Sequence, residues 1–328
     1  MSKARELAEL GAVYDSGALS NRNLIINGNM EIAQRGTSQT SAGYGTLDRF
    51  NMSLSGATAT MTQESFTIGQ TDVPGSYKYL KLAVSTGNNN SGVYYKAEAK
   101  DAIPFVGKKV TLSYYAKGTS PAAGLQVGIG WYDGSNSSSY DTLALTLTST
   151  WTKYTHTFDV PSISGVTLTN ANAYLEVKWA QFDTDTGTGA YEVNLAQVQL
   201  EEGDTATEFE HELTGVTLSK CQRYFEKVGN WGSTSSFYGL PAYKARSSSI
   251  GYPIQYKVEK RVTPSVTMYD HDGTTTGVVT QISDGTDFAV QFGPTGDVRG
   301  MYRTQHATQP VDTATSAYGV KIEADAEI

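Results

Sequence analysis

Residues 195–227 read LAQVQLEEGDTATEFEHELTGVTLSKCQRYFEK. The first third alternates: Leu195, then Val198 and Leu200 after a one-residue shift at Ala196–Gln197. That is the pattern of a half-buried strand carrying a bulge. Glu201-Glu202-Gly203-Asp204 has the acidic and glycine chemistry of a turn. Phe209 supplies a further apolar anchor, and Gly215 admits a second turn. From Val216 to Phe225 the apolar residues Val216, Leu218, Cys221, Tyr224 and Phe225 fall at roughly helical spacing, with a strand as close competitor. The stretch therefore closes one folded unit and opens another.

Working outward on the N-terminal side, the same period-2 alternation recurs. Leu80, Leu82 and Val84 show it, as do Val110, Leu112, Tyr114 and Ala116, and then Leu125, Val127, Ile129 and Trp131. Leu143, Leu145 and Leu147 continue it, followed by Tyr154, Phe158 and Val160, and by Leu175, Val177 and Trp179. Gly, Pro, Asn or Ser turns separate the runs, and no helix-period stretch long enough for a parallel crossover intervenes. Two antiparallel sheets, each buried on one face, satisfy this pattern. On the C-terminal side Ile250 to Val258, Val266 and Met268, Val278–Val279, Phe288 to Phe292 and Tyr318 to Ala324 alternate likewise, which predicts a second, smaller antiparallel sandwich. The fold class is all-β: a two-sheet antiparallel sandwich over 22–210, a C-terminal sandwich over 211–328, and an arm over 1–21. In the arm, Leu7, Leu10 and Tyr14 fall on one face of a short helix capped by Ser2. A helix so short is marginal in water, so it is expected to order only against a partner.

The 328 residues contain only 18% charged side chains, while 33 glycines and a Ser/Thr-rich texture supply the polarity. Tyrosine numbers 21, against 10 Phe and 4 Trp, which suits half-buried sheet faces and interfaces. The net charge of −8 and the lack of any Lys/Arg run beyond Lys108–Lys109 argue against nucleic-acid binding. Cys221 stands alone, which excludes an internal disulfide and a multi-cysteine zinc site and reads as a small buried apolar residue. No apolar run approaches the ~20 residues of a membrane helix, and no signal-peptide core opens the sequence. Synthesis in a reducing cytosol is the expectation, without membrane insertion.

Three phrases carry a family resemblance. QVQLEEGDTATEFEH followed by CQRYFEK, NLIINGNMEIAQRGTS with LDRF, and IQYKVEKRVTPSVTMYD together resemble bacteriophage tail-fibre and related virion fibre proteins that carry a carbohydrate-binding-module-like jelly roll. The resemblance implies a virion structural protein, fibre or spike, attached to other virion proteins through the N-terminal arm at Leu7, Leu10 and Tyr14. It further implies host-surface glycan recognition and assembly as a homotrimer. The alternative is an architectural capsid decoration or head fibre with no required ligand. Such modules present aromatic rings to sugar C–H faces, on a sheet face or in end loops. The candidates face opposite to the core set or lie in turns: Tyr132 and Asp133 beside Trp131, Tyr140 in GSNSSSYD and Tyr44 in SAGYG. Trp131 itself shares the core parity. Modules of this kind also admit a structural Ca²⁺, to which no residues are assigned, and no other cofactor is expected.

Catalysis is not expected. His156, His211, His271 and His306 stand apart, in no compact ligand spacing. His156, at the parity of Tyr154 and Phe158, reads as a core or interface histidine. Glu201 and Glu202 are adjacent, so on a continuing strand their side chains face opposite ways and cannot form a hydrolytic pair. No GxSxG elbow or P-loop is present.

Overall fold

The computed structural model describes residue 3 and residues 21–86, 91–119, 124–134, 137–163, 168, 171–180, 189–229, 231, 243–246, 249–281, 287–306 and 318–328. The arm positions Leu7, Leu10 and Tyr14 lie outside the described residues. The chain divides into two compact units, Met1–Thr217 (joined by Ile328) and Leu218–Glu327.

The first unit holds eleven strands: β1 (Ser38–Gln39), β2 (Phe50–Ser53), β3 (Thr58–Ser65), β4 (Lys78–Thr86), β5 (Gly92–Glu98), β6 (Lys109–Thr119), β7 (Leu125–Tyr132), β8 (Ser137–Leu145), β9 (Thr152–Asp159), β10 (Tyr174–Ala180) and β11 (Tyr191–Glu202). They form a six-stranded sheet in the order β1-β3-β4-β11-β6-β9 and a five-stranded sheet in the order β2-β5-β10-β7-β8. Every pairing is antiparallel. The inward residues of both sheets make one core, among them Leu80, Leu82, Leu112, Val127, Ile129, Trp131, Val177, Trp179, Leu195 and Val198. This is the two-sheet antiparallel sandwich that the alternation predicts and the jelly roll that the resemblance implies. Trp131 is fully buried and donates its indole N–H to the Pro161 carbonyl at 2.8 Å. Leu143 departs from expectation: at a core parity on edge strand β8, it remains 39% exposed.

The bulge in β11 lies where the sequence puts it. The pairing with β6 shifts between Ala196 and Gln199, and Gln197 takes a positive φ of 49°. The extra residue resets the alternation so that Val198 and Leu200 both face the core. Segment 23–28 runs alongside. Leu24 N–H donates to Leu200 O at 2.9 Å, and Val198 N–H donates to Gly28 O at 2.9 Å. A side chain at Gly28 would overlap the Val198 carbonyl, with a Cβ only 2.0 Å from that oxygen, so glycine alone fits there.

Two details of residues 201–215 differ from expectation. The strand continues through Glu202, so Glu201 and Glu202 do face opposite ways, Glu201 buried and Glu202 exposed and paired with Lys108 at 2.8 Å. Gly215 lies in the helix Thr214–Gln222 rather than in a turn, and Val216 on that helix is exposed. The helix resolves the helix-or-strand ambiguity by splitting it, since a strand begins at Phe225. The division between the units falls within this helix.

The second unit holds β12 (Phe225–Val228), β13 (Tyr243–Arg246), β14 (Ser249–Gln255), β15 (Ser265–Tyr269), β16 (Val278–Gln281), β17 (Asp287–Gly296), β18 (Gly300–His306), β19 (Tyr318–Gly319) and β20 (Lys321–Asp325). They form a three-stranded sheet, β12-β20-β15, and a six-stranded sheet, β13-β14-β18-β17-β16-β19. Ile254, Met268, Val279, Met301, Val320 and Ile322 share one core between the two sheets. Beside it lies a fully buried ion pair, Lys260 Nζ to Glu226 Oε2 at 2.7 Å. Lys260 also donates to Gln222 O, and Glu226 accepts from the Lys257 N–H. Cys221 is buried and is not part of a disulfide.

Candidate functional site

A sandwich has two outer faces, and the parity of each strand decides what they display. On the five-stranded sheet the outward residues line up in rows. Lys178 pairs with Tyr94 and Gly128, Glu176 with Lys96 and Gly130, and Tyr174 with Glu98 and Tyr132. Tyr132, a sequence candidate, belongs here: its ring stacks on Tyr174 at 4.8 Å and 24°. Lys96 Nζ lies 4.7 Å from the Tyr174 ring centre, and Lys178 Nζ 5.7 Å from that of Tyr94. Tyr140 shares this face by register, opposite Gly130. Its side chain lies outside the described residues. Asp133 follows Tyr132 at the strand end and is half-buried.

This face is largely closed to solvent. Tyr94, Glu98, Tyr174, Glu176 and Lys178 are all less than a tenth exposed. Burial, then the charge of Glu176, pushes the Tyr94 and Tyr174 phenols above their ordinary range. Burial also lowers Lys178, against the opposing pull of Glu176. The fourth candidate, Tyr44, belongs to neither sheet. It is half-buried, and the Arg35 guanidinium lies 5.7 Å from its ring centre. The structure thus brings Tyr132 and Tyr140 onto one sheet face, places Asp133 at its end and leaves Tyr44 apart.

On the outer face of the six-stranded sheet Tyr115 and Lys117 are half-buried and Lys153 is exposed, while Asn194 and Ala196 are buried. Across β4, β11, β6 and β9 one row runs Lys81–Asn194–Lys117, and the next brings Ala196 beside Tyr115 and Tyr115 beside Lys153. Phe66, Tyr79 and Trp151 form an aromatic trio, with ring centres 4.8 to 5.2 Å apart. All three rings are half-buried. Lys117 Nζ sits 5.1 Å from the Trp151 ring and 5.9 Å from Tyr79.

Two cavities share this face with the trio. One, of about 300 Å³, is lined by Lys117, Gly118, Thr119, Ser149, Glu192 and Asn194. The other, of about 340 Å³, is lined by residues that include Gly75, Tyr115, Lys153, Gln197, Phe209 and His211. The bulge shapes the second: Gln197 Nε2 donates to Pro74 O at 2.5 Å, which holds the 73–76 loop at the rim. There Gly75 has φ +79° and approaches His211 so closely that a Cβ would lie 2.9 Å from the ring. His211 in turn meets Phe209 edge-on at 5.1 Å.

The polar groups along this groove divide into spent and unspent. Glu192 is spent, with Lys81 Nζ at 3.0 Å and Asn194 Nδ2 at 2.8 Å. Burial works against its carboxylate, but hydrogen bonds from Asn194 and Lys81 and the charges of Lys81 and Lys117 outweigh it and hold Glu192 below its ordinary value. Among the described residues, the Lys117 and Lys153 ammoniums, the Trp151 indole N–H and the Tyr115 hydroxyl have no hydrogen-bond or ion-pair partner. The groove therefore combines apolar ring faces with donors available to a ligand. Also among the described residues, no three His, Cys, Asp or Glu side chains converge as metal ligands. His156, expected as a core or interface residue, contacts the Tyr114 hydroxyl at 3.0 Å through Nε2 and stacks on that ring. Burial lowers its pKa.

Sequence reasoning passed over this groove, whose residues come from segments scattered between 66 and 211. The signal was nonetheless present. Once Val110, Leu112, Tyr114 and Ala116 are assigned inward, Tyr115 and Lys117 must face out.

No protein-family model matches the chain, and no curated protein matches it. Solved structures do. A CBM22 xylan-binding domain from Paenibacillus barcinonensis is similar over 52% of this chain and 94% of its own, at 13% identity and a TM-score of 0.31. A family 11 carbohydrate-binding module from Clostridium thermocellum is similar over 53% of this chain and 98% of its own, at 12% identity and a TM-score of 0.32. The N-terminal cellulose-binding domain of a Cellulomonas fimi β-1,4-glucanase is similar over 53% of this chain and all of its own, at 19% identity and a TM-score of 0.28. At these values no ligand or activity transfers to this chain.

Proposed function

We propose that this chain is a glycan-binding subunit of a virion fibre or spike, acting by adhesion rather than catalysis. One observation carries the glycan reading: the outer face of the six-stranded sheet, where the Phe66–Tyr79–Trp151 cluster shares the face with two cavities bordered by Lys117, Lys153 and Tyr115, whose donors have no partner among the described residues. Aromatic rings accept the C–H faces of pyranoses, and the flanking amide, hydroxyl and ammonium groups meet their hydroxyls.

The virion role rests on the three sequence phrases described above. In this reading the arm bearing Leu7, Leu10 and Tyr14 docks onto other virion proteins. A homotrimer then multiplies weak sugar contacts into adhesion. The full chain, immobilised and exposed to a glycan array, is expected to retain oligosaccharides, and Trp151→Ala to weaken retention while the fold persists. Imaging of particles that carry a label on the C-terminus is expected to place it at a projecting fibre. A uniform shell over the head, with no glycan retained, would favour the decoration alternative.

A further inference from the structure

We infer that the groove on the six-stranded sheet takes an anionic saccharide, one bearing a carboxylate or sulfate, with Lys117 and Trp151 as the anion's principal donors. This rests on the glycan reading above and narrows it.

The chain as a whole carries −8, so a general electrostatic attraction for anions is absent. The groove is an exception. Two carboxylates lie near the Lys117 end: Glu192, which is ion-paired to Lys81 at 3.0 Å and bonded by Asn194, and Glu64, opposite Tyr79 in register and within electrostatic reach of Lys81. Lys117 is half-buried on the same wall, within electrostatic reach of Glu192, and among the described residues it forms no ion pair or side-chain hydrogen bond. It is held over the Trp151 and Tyr79 rings instead. A ring quadrupole compensates only part of the hydration such an ammonium gives up. It leaves the N–H donors unspent at the wall of the 300 Å³ cavity, beside Thr119 and Ser149.

The Trp151 N–H, also unspent, adds a second donor. Lys153, on the next strand and paired in register with Tyr115, adds a second ammonium without an ion pair among the described residues, at the other cavity, whose lining also includes Glu208. It is offset from the Lys117 level by two residues, about 7 Å along the strand. A neutral sugar would leave both ammoniums without a directly bonded counter-charge. An acidic one supplies a charge-assisted acceptor at the position where the groove holds a desolvated cation, and such bonds are about twice as strong as neutral ones.

The test uses the full chain in calorimetric titrations with four probes: an oligogalacturonate hexamer, its methyl ester, a heparin-derived hexasaccharide and xylohexaose. Binding of the galacturonate or of the heparin fragment, with the ester and xylohexaose weaker by about tenfold or more, supports the inference, and the acid that binds identifies carboxylate or sulfate as the group read. Lys117→Met keeps the aliphatic stem and removes the charge; it is expected to cost about tenfold in affinity for the acidic probe, with unaltered melting. Lys153→Gln serves as a second variant at the exposed end. Affinity for the acid is also expected to fall between about 50 and 200 mM salt. Equal binding of xylohexaose and the ester, indifferent to Lys117→Met, overturns the anionic preference and leaves the glycan reading standing. Binding of none of the four overturns both.

Discussion

Glu201 and Thr207 hold each other through two hydrogen bonds: the Thr207 N–H donates to Glu201 Oε1 at 2.9 Å, and the Thr207 hydroxyl donates to Oε2 at 2.6 Å. Gln199 Nε2 also donates to Oε1 at 2.9 Å, while Gln199 Oε1 accepts the Glu210 N–H at 2.8 Å. The Glu210 carboxylate in turn accepts from the backbone N–H groups of Asn21 and Asn23. The polar letters of QVQLEEGDTATEFEH thus fasten the 204–210 strap back onto β11, and that strap supplies Phe209 and leads to His211 at the groove.

Because Glu201 is buried, Glu201→Gln should leave one of these donors facing another donor and cost about 1–3 kcal/mol in urea unfolding. Thr207→Val should cost less, and the double variant should show strong non-additivity in a double-mutant cycle. Additive costs would mean that the pair does not act as a latch.

Trp151→Ala and Tyr115→Ala should each reduce glycan affinity by about tenfold while shifting the melting temperature little, since both rings are half-buried on an outer face. Tyr132→Phe, on the closed face, should leave affinity unaltered. Titration of the three variants against the same ligand checks the ranking, and a reversed order would move the site to the five-stranded sheet.

Gly75→Ala combines a left-handed backbone with a Cβ only 2.9 Å from the His211 ring. The expected result is a displaced His211, seen as a shift of its imidazole resonances, with a stability loss of about 1–2 kcal/mol. Unmoved resonances would show that the rim relaxes without disturbing the cavity.

In the second unit, Glu226→Ala strands the Lys260 ammonium in the core and should destabilise that unit by about 3–5 kcal/mol. Replacing both partners, Glu226→Leu with Lys260→Met, should recover most of the loss. Proteolysis of the C-terminal unit provides the readout, and a double variant as labile as the single would refute the isostere argument.

Stability should also depend on pH through His156. Burial lowers its pKa in the folded chain from the ordinary 6.5. The unfolded chain therefore binds the proton first on acidification. The contribution is intact above pH 6.5 and is lost as pH falls from there through the folded value. Melting temperatures followed from pH 8 to pH 5 should decline in that window, and His156→Gln should flatten part of the decline. An unchanged slope in the variant would assign the dependence to other groups.

Strands whose two faces differ in polarity were legible in the sequence. β4, β6, β7, β9 and β10 each alternate between apolar and polar, and even the β11 bulge shows as a slip in that alternation. β5 was not legible, because GVYYKAE sends Val93, Tyr95 and Ala97 inward and Tyr94, Lys96 and Glu98 to a face that is itself buried. With tyrosines on both sides, the contrast that reveals a strand disappears. Tyr132 could be placed on a sheet face from parity alone. The groove could not, because it depends on which strands become neighbours: β11 lies between β4 and β6, and only that order sets Lys117 opposite Asn194 and brings Tyr79 to Trp151. Segments so far apart leave no local spacing to read.

The placement of β11 also bears on how the molecule would carry tension. A tether pulling on Glu192, Asn194 or Ala196 acts on an interior strand that is flanked on both sides by antiparallel neighbours and secured at its far end by the Glu201 latch. Force directed along that strand loads its interstrand bonds together, in shear, instead of opening them one by one from an edge. A grip built on this strand is suited to holding under drag, with detachment at the sugar preceding rupture of the protein.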